Sequence, residues 1–113
     1  IDIFVRASPD NASSLMKALA RFGAPLTGVS ADDFSSEGIV FQIGNSPRRI
    51  DILTRISGVG FQQAYERRTI VTLEGMAIPV ISLGDLIANK RATGRTQDLA
   101  DVERLESLLS EDR

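Results

Sequence analysis

The chain has 113 residues, enough for one hydrophobic core and too few for two, so a single domain over residues 1–113 is the expectation. Hydrophobic residues make up 42% and charged residues 25%, with a formal net charge of -2, a balance that excludes a disordered chain and a non-specific polyanion binder. There is no Cys and no His, which removes disulfides, thiol nucleophiles, imidazole-ligated metals and the Ser-His-Asp triad.

What remains for chemistry is carboxylates, Lys, Arg, hydroxyls and one Tyr. No apolar run approaches the roughly 20 residues of a membrane span, and no signal-peptide pattern opens the chain. The expectation is therefore a cytoplasmic protein with no membrane partner.

In chain order, Ile1 to Arg6 alternates apolar and polar residues and predicts a strand. Asn11 to Phe22 carries Leu15, Met16, Leu19 and Phe22 at helical spacing, and Gly23 with Pro25 ends that helix. Leu26 to Glu37 holds a turn or a single helical turn. Gly38 to Ile43 and Arg48 to Leu53 alternate on either side of Gly44-Asn45-Ser46-Pro47, the pattern of a hairpin.

After Gly58 and Gly60 comes a short helical stretch, Phe61 to Arg67. A second hairpin joins Ile70–Leu73 to Met76–Ile81 across Glu74-Gly75. Ser82 then caps a helix whose apolar face is Leu83, Leu86 and Ile87, ended by Gly94. The last helix, about Asp98 to Leu109, turns Leu99, Val102, Leu105 and Leu109 inward. Strands and helices in this order predict an α/β (α+β) fold, a mixed sheet with flanking helices.

Two strands share a tetrad, Ile1-Asp2-Ile3-Phe4 and Ile50-Asp51-Ile52-Leu53. Each places a carboxylate on the sheet face opposite its flanking isoleucines. If the strands are neighbours, Asp2 and Asp51 share a face, and two close carboxylates repel unless a cation lies between them. Mg²⁺, a hard ion that brings phosphates with it, is the expected occupant. The alternative is that each Asp sits at a strand end in water.

Lys90 continues the stripe of Leu83, Leu86 and Ile87 at the far end of its helix, and with Arg91 and Arg95 it forms the one dense basic cluster. Such a cluster suits a polyphosphate, or it matches the negative end of the helix dipole. Asp98 and Asp101 share a face one turn later. They either cap the last helix or hold Lys90 or Arg95 in place.

The run Pro79 to Val102, with its strand, its helix ending in Lys90 and the Gln97-Asp98-Leu99-Ala100-Asp101 that follows, resembles the C-terminal part of minimal nucleotidyltransferase-like proteins. These bacterial proteins belong to the polymerase-β-type superfamily, with abortive-infection and antitoxin-associated members. Arg49-Ile50-Asp51-Ile52-Leu53 looks like the strand bearing that family's third catalytic carboxylate, and Ile1-Asp2-Ile3-Phe4-Val5 like the second half of its Asp-x-Asp strand. The resemblance implies that the domain here lacks its first helix and the start of its first strand, and with them the first Asp and the phosphate-cradling glycine turn.

It also implies a function, the Mg²⁺-dependent transfer of a nucleotide from a nucleoside triphosphate to a hydroxyl on a protein or RNA acceptor. Asp2 and Asp51 would hold metal, Asp51 would serve as the catalytic carboxylate, Lys90 and Arg95 would bind the nucleotide, and Asp98 and Asp101 would support them. A strand beginning at Ile1 without a neighbour leaves apolar surface to cover, which predicts a homo-oligomer. The alternative of a different class is a non-catalytic interaction module, such as an antitoxin-type partner, built on the same fold.

Overall fold

The computed structural model describes residues 1–111. It is a mixed α+β structure whose chain divides into two compact units, one over Ile1–Ile56 and one from Ser57 onward.

In the first unit, β1 (Asp2–Phe4), α1 (Pro9–Phe22), α2 (Ala31–Phe34), β2 (Val40–Ile43) and β3 (Ile50–Leu53) follow in order. β3 is central: it pairs parallel with β1 and antiparallel with β2. β1 is shorter than the alternation predicts because the Arg6 carbonyl is already committed to the turn, accepting from the Ser8 N–H at 3.1 Å and Asn11 Nδ2 at 3.0 Å. Ser8 caps α1 through its Oγ, which accepts the Asn11 N–H at 3.3 Å, and Pro9 fills the first turn, where no intrahelical donor is needed.

Gly23 closes α1 in the left-handed region, φ 89°, which a residue with a Cβ adopts only with strain. Beyond it the chain folds back, the Ala24 N–H bonding the Leu19 carbonyl at 3.0 Å. Ala24 thereby packs on the core where the helical spacing had predicted Phe22, and Phe22 is exposed. The core is Ala12 and Leu19 of α1, Phe34 of α2 and Ile52 of β3, surrounded by Val5, Leu15, Met16, Phe41 and Ile50 among others. Since Ile52 faces this core, its strand neighbour Asp51 faces the other way.

The second unit contains α3 (Phe61–Glu66), the antiparallel hairpin β4 (Thr69–Leu73) and β5 (Met76–Val80), α4 (Leu83–Thr93) and α5 (Thr96–Glu111). Glu74 and Gly75, with φ 52° and 80°, provide the two left-handed residues of a tight hairpin turn. Ser82 caps α4, its Oγ accepting the Asp85 N–H at 3.1 Å. Gly58 lets the loop before α3 lie against α4: a Cβ there would stand 2.6 Å from the Cβ of Ala92. Asn89 Nδ2 fixes the same approach by donating to the Ser57 carbonyl at 2.9 Å.

The buried side chains of this unit are Ala64, Ile87 and Val102 together with two aspartates, Asp85 and Asp98. The sequence pattern turned Leu99 inward, but Leu99 is 46% exposed. Asp98 takes the inward position instead, because three partners on the preceding segment reach its carboxylate, and Val102, Leu105 and Leu109 continue that face. No helix among the described residues is long and apolar enough to cross a membrane.

Candidate functional site

The residues singled out from sequence fall into two clusters, one in each unit. In the first, the parallel register sets Asp2 directly opposite Asp51, and the antiparallel register sets Gln42 opposite Asp51 on the other side. Paired residues on adjacent strands project to the same face, so Asp2, Asp51 and Gln42 form a polar row across the sheet, on the side away from the α1 core.

Asp2 is exposed, whereas the Asp51 side chain is only 13% exposed. The Arg49 Nε lies 3.0 Å from Asp51 Oδ1, yet this buried oxygen makes no hydrogen bond. The contact is thus one of charge, with the N–H misdirected. A buried carboxylate oxygen without a directed hydrogen-bond donor is costly, and the Arg49 charge offsets part of that cost.

Among the described residues no group of three or more carboxylates gathers as a metal site. A pair is nevertheless what Mg²⁺ commonly takes from protein, since it keeps waters and binds substrate phosphates at its remaining positions. Asp2 and Asp51, in register, are the two carboxylates that this face offers.

The second cluster joins the end of α4 to the start of α5. Lys90 Nζ donates to Asp101 Oδ2 at 3.1 Å and to Asp98 Oδ1 at 3.4 Å. Asp98 Oδ2 accepts from Thr93 Oγ1 at 2.7 Å and from Arg95 Nε at 2.6 Å. The Asp101 carboxylate beside it, then that of Asp98, raise the Lys90 ammonium above the usual lysine range, against the opposing effect of burial. Hydrogen bonds from Thr93 and Arg95 hold the Asp98 carboxyl below its usual range, with Lys90 adding to them. Arg91 pairs instead with Glu106.

Both residues of the aspartate pair on α5 thus touch Lys90, and Asp98 also touches Arg95. The Lys90 side chain keeps 26% of its surface open, and that of Arg95 projects widely into solvent. Each carries a cation that reaches water while anchored at one end.

Two interactions escaped the sequence reading. Asp85, buried in the first turn of α4, is gripped by Arg67, whose Nη2 lies 2.7 Å from Oδ1 and whose Nε lies 3.1 Å from Oδ2. Those bonds, and a hydrogen bond from the Ser82 side chain, lower the Asp85 carboxyl below its usual range against the cost of burial. Ser82-x-x-Asp85 spacing signals the cap, but nothing in sequence couples it to Arg67, eighteen residues earlier. Arg49 was the more legible omission, because residues two apart on a strand share a face.

Comparison with protein-family models, with curated proteins and with solved structures finds no match to this chain.

Proposed function

We propose that this chain is a nucleotidyltransferase-like domain that binds Mg²⁺ and a nucleoside triphosphate and transfers a nucleotide to a hydroxyl acceptor on protein or RNA. The observation that carries the reading is the Asp2–Asp51 register with its orphaned Asp51 Oδ1. A divalent ion held by these two carboxylates would supply neutralisation of phosphate oxygens.

In this reading Asp51 also accepts the proton of the attacking hydroxyl, whose oxygen bonds to the α-phosphorus as the bond to pyrophosphate breaks. Within the second unit, Lys90 and Arg95 are the phosphate-binding candidates of this reading, and Asp98 and Asp101 keep those cations in place beforehand. The test is a nucleotide-binding titration with and without Mg²⁺ on the chain and on Asp51→Asn. Mg²⁺-dependent binding that Asp51→Asn abolishes supports the reading, and binding indifferent to both contradicts it.

One observation favours a second reading, a non-catalytic interaction module. Val71, Leu73, Met76 and Val80 lie on one face of the β4–β5 hairpin, and all four are exposed. An apolar face of this kind on a two-stranded sheet is a common place for a protein partner or a second copy of the chain. Failure to bind any nucleotide, together with concentration-dependent self-association, would favour this reading.

A further inference from the structure

We propose that β4 is an open sheet edge that pairs antiparallel with β4 of a second copy of this chain, in a register centred on Val71. The proposal rests on the interaction reading above, to which it gives a partner and a register, and it is independent of the nucleotide reading.

β4 and β5 form a sheet of their own, and neither of its faces is covered: Ile70 on one side is 52% exposed and Val71 on the other 44%. A lone two-stranded ribbon is marginal in water, and further strands stabilise it. Its two edges differ. Proline has no N–H, so Ile70 and Pro79 face each other as a non-hydrogen-bonded pair. Alternation along the ladder then turns the main-chain groups of Ile70 and Thr72 outward from β4, and those of Ala77 and Pro79 outward from β5. The β5 edge therefore lacks a donor where a further strand would need one, a common guard against pairing. The β4 edge has no such guard: Thr69, Ile70, Val71 and Thr72 are all β-branched, uncharged and exposed.

Antiparallel pairing about Val71 sets Ile70 opposite Thr72 of the second copy, and every outward N–H and C=O of both residues is then taken. The same register sets Arg68, just before β4, opposite Glu74 of the second copy, just after it, and the twofold axis repeats that pair at the other end. The neighbouring registers place Arg68 opposite Thr72 or Glu74 opposite Ile70 and lose both ion pairs. Arg68 is held in place by the Tyr65 ring, 3.9 Å from its guanidinium carbon, and by a 2.8 Å bond from Nη1 to the Tyr65 carbonyl, with further N–H groups to give. None of the ion pairs among the described residues uses Glu74. The resulting four-stranded sheet ends in β5 on both sides, so association stops at two copies.

The test is sedimentation velocity of the full chain over a concentration series, comparing wild type, Thr72→Pro and Ala77→Pro. Each proline removes one outward donor and no hydrogen bond of the hairpin itself, the first from β4 and the second from β5. Wild type and Ala77→Pro are expected to dimerise, and Thr72→Pro to stay monomeric. Glu74→Arg should weaken the dimer about tenfold at low salt, and Arg68→Glu combined with Glu74→Arg should restore it. Because the chain has no Cys, Val71→Cys supplies a single thiol at the twofold axis, where a non-hydrogen-bonded pair brings the Cα atoms to about 4.5 Å, within disulfide reach. It should cross-link under mild oxidation much faster than Met76→Cys.

A wild type that is monomeric throughout would overturn the proposal and leave the interaction reading to a partner of another kind. A dimer that Thr72→Pro leaves intact, or equal cross-linking of the two cysteine variants, would overturn it as well and place self-association on another surface. A dimer indifferent to Glu74→Arg would overturn the register. If Thr72→Pro does not fold, as circular dichroism would show, the charge exchange and the cross-linking decide in its place.

Discussion

Asp2 and Asp51 face each other across a parallel strand pair, in register, with Asp51 enclosed and Asp2 open to water. The asymmetry matters for both energy and chemistry. Enclosure strengthens the field of a charge at Asp51, because less water screens it there than at Asp2.

Asp51→Asn should therefore lower Mg²⁺ or Mn²⁺ affinity by about tenfold or more, given that even changes behind a ligand cost about 10–100-fold. Its melting temperature should stay close to wild type, because removing the charge also removes the desolvation cost of a carboxylate with an unbonded oxygen. Calorimetric titration and a thermal melt on the same sample check the two halves together. A large loss of stability with metal affinity intact would make Asp51 a structural partner of Arg49.

Lys90 and Asp101 should couple. Single replacements Lys90→Ala and Asp101→Ala each break the 3.1 Å contact, so the double variant should lose less than their sum, by about 0.5–1 kcal/mol in a chemical-denaturation cycle. Lys90→Ala should also weaken triphosphate binding. The anchoring by two carboxylates means that some loss of stability is expected with it, since Asp98 remains buried with one cation fewer. Strict additivity in the cycle would show that the contact contributes nothing.

The acid limb of stability should trace to Asp85 and Asp98. Both carboxyls are held below their ordinary range in the folded chain, so each stabilises the fold fully above the unfolded value near ~3.9 and stops doing so as pH falls through the folded value. Lys90, raised by its carboxylates, contributes below the ordinary lysine value of ~10.4 and is lost only as pH rises through its folded value. Melting temperature should thus be flat through neutrality and fall below about pH 4. Asp85→Asn should lower the neutral plateau and flatten that acid fall, as calorimetry across pH would show; an unchanged acid limb would point to other carboxylates.

Phe34→Ala should be among the most damaging single changes, at about 3–5 kcal/mol, since its ring is fully buried with its centroid 5.9 Å from that of Phe41. Leu99→Ser should fall within about 0.5 kcal/mol, as an exposed position requires. Denaturant titrations of the two variants check this contrast. A costly Leu99→Ser would return Leu99 to the inward face of α5.

The contrast between these residues shows what sequence periodicity can reach. Three helix boundaries were legible because caps are local: Gly23, Ser82 and Gly94 each act within a few residues of chain. The hairpins were legible for the same reason, and the repeated Ile-Asp-Ile tetrad pointed to the Asp2–Asp51 row. Periodicity misassigned Leu99 because it counts apolar residues, and the inward position of α5 went to an aspartate whose partners, Lys90, Thr93 and Arg95, supply what an apolar neighbour would have supplied. The grip of Arg67 on Asp85 was out of reach because it depends on how α3 and α4 pack, which no local pattern encodes.

The most direct test of the metal seat is paramagnetic broadening by Mn²⁺ in the amide spectrum of the ¹⁵N-labelled chain. At substoichiometric Mn²⁺, the resonances of Asp2, Asp51 and Gln42 should broaden first, because the strand register puts them in one row on one face. Broadening that begins at Asp98 and Asp101, or that spreads evenly over the acidic surface, would contradict a cation site on Asp2 and Asp51.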